Sequence, residues 1–243
     1  MVDERTFAVD DYTKPNAPVF RKPGLHRILG REYWLIDEDI DKASHTIRNN
    51  YPHIIGLQDV CVISAHQGNK LSNPFLQMIH SHRDHWITIT TIDCPPNTVR
   101  VYDSMFRQMD QLSLYQIDQF IQWNNKVPLT FQFMEFQRQR NKADCGLFAV
   151  AAAFSLAIGN DPSKYTYDDF KLRKHLVECL KTSSVKQFPS YNGEVKKRQS
   201  VSVIVIWCSN CKNFYQKVLQ CPKCQPVSWS KVNIAKVGLK TAG

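Results

Sequence analysis

Apolar residues recur along the chain with two periods, and these periods predict the order of its helices and strands. Apolar residues at helical spacing from 34 to 47 predict a helix that ends before Pro52. Segments 112–123 and 167–180 also have helical periodicity, and segment 75–79 fits a helix or a strand. Alternating or β-branched residues predict strands at 60–64, 86–92, 99–102, 129–136 and 203–207.

One further helix, at 144–158, is Ala-rich and apolar nearly all round, which predicts a buried central helix. Asp144 is a candidate N-cap, and Cys145 lies on the first turn, where the helix dipole favours a thiolate. Gly146 is expected to leave open space beside the sulfur. A lone cysteine on an apolar helix is more often a core residue. Cys145 is therefore either a nucleophile or part of the core.

His85 opens the strand at 86–92, at the edge of a core element, and is a candidate general base. A short turn at 94–98 joins this strand to the strand that ends at Asp103. Strands joined so closely are expected to pair antiparallel, which places His85 beside Asp103 and lets the carboxylate fix the imidazole tautomer. His80 and His82 are rival candidates for the base.

Gln139 precedes Cys145 by six residues and is a candidate oxyanion donor. A side-chain amide and the backbone N–H of the nucleophile together can bind a developing negative charge. Gln132 and Gln137 also lie upstream, and the residues alone do not choose among the three.

The order His, Asp, Gln, Cys resembles the ubiquitin-like-protein-specific cysteine proteases, which act on modifiers of the SUMO and Nedd class. The resemblance covers roughly residues 30–182. The stretches that carry it are His85-Trp86, Val101-Tyr-Asp-Ser104, Gln139 with Asp144-Cys-Gly146, Trp34-Leu-Ile-Asp37 and Leu172-Arg-Lys-His-Leu176.

This resemblance implies an α+β, papain-like fold with a central helix packed on a mixed sheet. It implies thiol catalysis by His85, Asp103, Gln139 and Cys145 without a cofactor. Trp34 and Trp86 match positions that form an aromatic tunnel for a Gly-Gly-like substrate tail, since a chain without side chains threads a narrow slot. Ile36 and the sequence Lys142-Ala-Asp depart from the family pattern. The version carried by mobile elements is the most similar one.

The resemblance predicts a cysteine-type peptidase or isopeptidase that cleaves after such a tail of a ubiquitin-like modifier. One alternative is a polyprotein-processing protease of a mobile element. Another is an acetyltransferase on the same scaffold, although no cofactor-binding region is identified. A third is a catalytically silent receptor for ubiquitin-like proteins.

Charge is distributed unevenly along the 243 residues, whose formal net charge is +9. Segment 183–243 has ten of the 31 Lys and Arg residues and one of the 22 acidic residues, Glu194. This basic tail carries the whole excess, which predicts either a nucleic-acid or acidic partner or simply a solvated basic surface.

Four of the eight cysteines form two CxxC pairs in this tail. Their spacing predicts a four-thiolate zinc site, as in a zinc ribbon. A redox pair or a decayed, truncated finger module is the alternative. The four cysteines are Cys208, Cys211, Cys221 and Cys224.

These patterns divide the chain into four parts. They are an irregular arm at 1–30, the protease-like domain at 31–182, a basic linker at 183–202 and a small CxxC module at 203–243. No signal peptide is evident, and the longest nearly apolar run, 146–158, is too short to cross a bilayer. An intracellular protein of the nucleus or cytoplasm, with no membrane partner, is expected.

Overall fold

A mixed sheet of eight strands is the frame of the protein. The computed structural model describes residues 24–64, 68–81, 84–106, 109–123, 128–191, 200–208, 213–219 and 235–236. The strands are β1 (Ile55–Gly56), β2 (Phe75–Ser81), β3 (His85–Thr90), β4 (Thr98–Tyr102), β5 (Leu129–Phe133), β6 (Thr166–Tyr167), β7 (Ser190–Tyr191), β8 (Val201–Cys208), β9 (Asn213–Leu219) and β10 (Ala235–Lys236). Strands β6 and β7 form a separate antiparallel pair.

The order of strands in the sheet is β1-β2-β3-β4-β5-β8-β9-β10. Strands β2, β3 and β4 pair antiparallel, whereas β4 and β5 run parallel. The start of β3, the end of β4 and the end of β5 therefore meet at one edge of the sheet. This common edge positions the candidate site.

Helices cover both faces of the sheet. They are α1 (Asp37–Asn50), α2 (Val60–Ser64), α3 (Gln111–Phe120), α4 (Cys145–Ala157) and α5 (Leu172–Thr182). In α4 every residue except Leu156 is buried. It shares one apolar core with α1, α5 and one face of the sheet, while α3 packs on the opposite face in a second core. The predicted central helix on a mixed sheet is present.

One predicted strand is a helix instead. Residues 60–64 form α2, in which Val60 and Ile63 are buried and Cys61 and Val62 are exposed. The backbone N–H groups of Val62 and Ile63 both donate to the carbonyl of Asp59. A short apolar run has too few residues for its period to separate a strand from a helical turn.

The predicted linker at 183–202 also differs from the structure. Phe188 lies inside the core of α4, and β7 pairs with β6 just beyond it. Strand β8 begins at 201 and pairs with β5, and its Val203 and Val205 are buried in the core on the α3 face. The apolar alternation of β8 thus extends the main sheet rather than starting a detached module.

Among the described residues, no helix is long and apolar enough to cross a membrane.

If 183–191 is part of the packed body, Phe188→Ala will strongly destabilise the protein. Its ring is 1% exposed and meets those of Phe154 and Tyr167 edge-on. We expect a loss of about 3–5 kcal/mol in the free energy of unfolding, measured by urea denaturation. Tyr191→Ala, at a ring that is 54% exposed, should cost less than about 1 kcal/mol. Equal, small effects of the two variants would show a loosely attached segment.

Candidate active site

Cys145 is the first residue of α4, and it is buried and not in a disulfide. The helix is held on the sheet by its apolar surround and by the Thr88 hydroxyl, which donates to the Ala149 carbonyl over 2.7 Å. Its first backbone N–H groups have no partner within the helix, so they point partial positive charge at the sulfur.

Two expectations about the residues beside Cys145 are wrong. Asp144 occupies the N-cap position, but its side chain makes no capping hydrogen bond and pairs with Arg173 instead. Gly146 does not leave open space, because a Cβ there would lie 2.8 Å from the Cβ of Leu35. Glycine at this position lets the segment that carries Trp34 pack directly against the start of α4.

His85 and Asp103 meet at the edge of the sheet. The distance from His85 Nε2 to Asp103 Oδ1 is 2.7 Å, and both side chains are almost completely buried. Asp103 Oδ1 also accepts hydrogen bonds from the backbone N–H groups of Met105 (2.7 Å) and Phe106 (2.8 Å). The turn that follows Asp103 therefore fixes its carboxylate, and this carboxylate fixes the imidazole of His85.

The side chain of His85 also interacts with Cys145. Because Nε2 is taken by Asp103, the nitrogen left for the Cys145 thiol is Nδ1. It is buried and, among the described residues, lacks a hydrogen-bond partner of ordinary geometry. A buried ring nitrogen left in this state beside a thiol is suited to proton transfer.

The pKa of His85 is raised from 6.5 to about 9. Burial is the largest single influence and lowers it, because a charged ring is poorly solvated there. The hydrogen bonds and the negative charges of Asp103 and Cys145 together outweigh burial and stabilise the imidazolium. The site thus favours a protonated base beside the sulfur, which is the charge state that a thiolate nucleophile needs.

Gln139 is buried and held on both sides of its amide. Its Oε1 accepts from the Ser104 hydroxyl over 2.5 Å, and its Nε2 donates to the Asn141 carbonyl over 2.6 Å. A carboxamide has a second N–H on the same nitrogen, which neither contact uses. Among the described residues this second N–H makes no hydrogen bond, so it is available to bind an oxyanion.

Three of the four rivals named from the sequence lie within the described residues. The ring of His80 packs on that of Trp86, with 4.7 Å between ring centroids, and His82 lies outside the described residues. Gln137 bonds both backbone groups of Tyr167 and the Asp169 carboxylate, so it holds β6. Gln132 lies within β5, opposite Ser202 of β8.

The two predicted tunnel residues differ in exposure. Trp34 is 43% exposed, whereas Trp86 is 3% exposed and its indole N–H donates to the Leu35 carbonyl over 2.9 Å. Trp86 therefore anchors the segment on which Trp34 is displayed. Contact of either ring with a substrate stays a prediction.

Sequence reasoning missed three residues that hold the site together. The sequence predicted no role for Ser104, Asn141 or Arg173. In the structure each one is hydrogen bonded to Gln139 or Asp144. The signal was indirect, because a polar residue next to a candidate catalytic residue rarely reveals its partner from sequence.

The predicted zinc ligands Cys211, Cys221 and Cys224 lie outside the described residues. Cys208 ends β8, and its backbone pairs with that of Asn213. Within the ranges that the structure describes, no group of three or more His, Cys, Asp or Glu side chains could hold a metal ion.

No protein-family model and no curated protein matches the sequence. Solved structures do match. The C-terminal Ulp1 protease domain in complex with Smt3, the yeast ortholog of SUMO, is 13% identical with a TM-score of 0.47, over 65% of this chain and 81% of that chain. SUMO protease Ulp1 with its catalytic cysteine oxidised to a sulfonic acid is 15% identical with a TM-score of 0.48, over 65% and 83%.

A third similar structure is the Ulp1-like SUMO protease catalytic domain of Chaetomium thermophilum. It is 22% identical with a TM-score of 0.43, over 65% of this chain and 76% of that chain. All three are SUMO proteases, the family that the sequence motifs resemble. The identities lie below 25% and the TM-scores below 0.5, so the function of this chain rests on its own residues.

Asp103→Asn should lower the pKa of His85 from about 9, since Cys145 alone then opposes the effect of burial. Titration of the imidazole by NMR measures this directly. Asp110→Asn, at the N-cap of α3, is the matched control and should leave the pKa of His85 unchanged.

The same shift has a signature in stability. A raised folded-state pKa gives stabilisation that is complete below pH 6.5 and is lost as the pH rises through about 9. The free energy of unfolding of the wild type should therefore fall across that window, and Asp103→Asn should flatten the fall. An unchanged slope would contradict the assigned pair.

Proposed function

We propose that this chain is a cysteine-type peptidase that cleaves after the C-terminal glycines of a ubiquitin-like modifier, with Cys145 as nucleophile and His85 as base. One observation carries the proposal: a buried His85–Asp103 pair, 2.7 Å apart, lies beside a cysteine at the start of a buried helix. A core cysteine has no need of an imidazole with a raised pKa next to it.

The arrangement supports acyl transfer. His85 takes the Cys145 proton, and the thiolate attacks the carbonyl carbon of the scissile bond. The oxyanion then accepts hydrogen bonds from the Cys145 backbone N–H and the free N–H of Gln139. His85 returns its proton to the leaving amine as the C–N bond breaks. Water then attacks the thioester, His85 takes the proton of that water, and the thiol and the free carboxyl are released.

The substrate preference follows from the burial of Cys145, which is 1% exposed. Leu35 already touches the position of a Gly146 Cβ, and Trp34 projects from the same segment with much of its ring exposed. A chain that passes Trp34 to reach Cys145 has little room for side chains, which favours glycines. A modifier of the SUMO class is the substrate that the sequence motifs around His85, Asp103 and Cys145 imply.

A mobile-element polyprotein with a glycine-containing cleavage site would use the same groups. The two functions differ in whether a folded modifier is required beyond the tail. A peptide that carries only the tail should be a poor substrate if the modifier's body contributes binding, and a good one if a polyprotein segment is recognised.

We also retain the zinc hypothesis for the CxxC pairs, as a structural rather than catalytic metal. Cys208 ends β8 and pairs with Asn213 at the start of β9, so the first CxxC motif begins where one of two antiparallel strands ends, as in a zinc ribbon. Metal analysis of the purified protein tests this, and less than about one zinc per chain would reject it. Nucleic-acid binding by the same basic segment stays a prediction.

Labelling with ubiquitin-like modifiers that carry a C-terminal thiol-reactive warhead tests the nucleophile. The wild type should form one adduct, and Cys145→Ala should form none. Cys61→Ala is the matched control, because Cys61 is the exposed thiol of α2 and its removal should leave labelling intact. Adducts that vanish with Cys61→Ala and persist in Cys145→Ala would reject the assignment.

Gln139→Ala should lower kcat by roughly 10²–10³-fold with little change in KM, since an oxyanion donor acts on the transition state. Hydrolysis of a modifier–fluorophore amide measures both constants. Gln132→Ala, in the middle of β5, should keep kcat within about threefold of the wild type. A normal kcat for Gln139→Ala would remove this residue from the oxyanion site.

A further inference from the structure

Arg173 joins three separate parts of the chain in one buried contact. It lies in the first turn of α5, far from Cys145 in sequence, and is 9% exposed. Its Nη1 donates to the carbonyls of Ile28 (3.0 Å) and Tyr33 (2.9 Å). Its Nη2 donates to Asp144 Oδ1 over 2.5 Å.

Two of these contacts lie next to candidate site residues. Tyr33 precedes Trp34, so the guanidinium fixes the peptide group from which the exposed ring projects. Asp144 precedes Cys145, so the same guanidinium also fixes the residue at which α4 begins. The side chain of Arg173 thus fixes the distance between the Trp34 segment and Cys145.

Asp144 passes the constraint to the oxyanion donor. Its Oδ2 accepts from the Asn141 amide over 2.6 Å, and Asn141 Oδ1 accepts from the backbone N–H groups of Ala143 and Asp144. The Asn141 carbonyl in turn accepts from Gln139 Nε2. The chain of hydrogen bonds from Arg173 therefore ends on the amide proposed to bind the oxyanion.

We propose that Arg173 is a positioning residue of the peptidase site, which holds the oxyanion loop (residues 139–144) and the Trp34 segment (residues 33–36) in register with Cys145. This inference rests on the proposed function. It assigns no contact with substrate to Arg173, which acts only through Asp144 and the two carbonyls.

The planar guanidinium suits this task because it donates in several fixed directions at once. A lysine would keep the charge that Asp144 needs, but it would meet only part of the three acceptors. Arg173→Met goes further and leaves the Asp144 carboxylate, whose side chain is 8% exposed, without its cation.

The test compares two reactions of the same thiol. Turnover of a modifier–fluorophore amide needs the oxyanion loop and the Trp34 segment, whereas alkylation of Cys145 by iodoacetamide needs neither. Arg173→Met should lower kcat about 10²-fold, the scale expected for misplaced reacting groups, while alkylation per folded molecule stays within about threefold. Asp144→Asn/Arg173→Met should lose no more than Arg173→Met, since both substitutions break the same Arg173–Asp144 pair.

Arg48→Met is the matched control. Arg48 also bridges a backbone carbonyl, that of Leu57 (2.9 Å), and a carboxylate, that of Asp59 (3.2 Å), but it joins α1 to the segment leading to α2. It should lower stability without a change in kcat of more than about threefold. A fall in kcat of the same size as in Arg173→Met would reduce the effect to general destabilisation and overturn the inference.

Arg173→Lys keeps the test decisive if Arg173→Met does not fold. Retained pairing with Asp144 and weaker contacts to the carbonyls should leave kcat within about threefold and raise KM severalfold, through the Trp34 segment. Wild-type kcat and KM in Arg173→Lys, or turnover and alkylation that fall in step in either variant, would overturn the inference. A wild type that cleaves no modifier would instead reject the proposed function, and the inference with it.

Discussion

The candidate site depends on the burial of α4 against β3. Every residue of this helix but Leu156 is removed from water, so the helix cannot slide or turn without exposing apolar surface on all sides. The position of Cys145 relative to His85 is therefore set by packing, before any polar contact is considered. The polar contacts then fix the side chains and the loops around Cys145.

Burial also sets the cost of the charged groups at the site. An isolated imidazolium or carboxylate in this surround is unfavourable, and breaking a buried pair typically costs about 3–5 kcal/mol. The structure meets this cost by giving each charge more than one partner. Asp103 accepts from His85 and two backbone N–H groups, and Asp144 accepts from Arg173 and Asn141. The charges are fixed in place because moving them would leave them unsolvated.

What the sequence could predict follows from how local each signal is. Two alternating strands with a short turn have little choice of pairing, so the approach of His85 to Asp103 follows from the hairpin alone. The all-apolar period of α4 likewise predicts its burial. Both features depend on residues that lie within one helix or within two strands joined by a short turn.

The features that could not be predicted are contacts between distant segments. The position of Asp144 predicts an N-cap, but its carboxylate pairs with the buried guanidinium of Arg173 from α5 instead. Gly146 was predicted to leave open space, because its neighbours in the sequence do not indicate that Leu35 fills this space. The prediction of a strand at 60–64 was wrong for a different reason. These few residues form less than two helical turns, so their period does not identify a helix.

The C-terminal strands show the same principle at the scale of the whole sheet. Strand β8 covers the edge that β5 would otherwise leave unpaired, with Val201 opposite Phe133 and Val205 opposite Leu129. The last residue of β5 lies near the end of β4 and therefore near Asp103. Because β8 is antiparallel to β5, it starts near the candidate site and runs away from it. Its last residue, Cys208, therefore lies at the opposite end of the sheet. A metal held by the CxxC pairs would act on the stability of this edge, and the chemistry at Cys145 would depend on it only through the sheet.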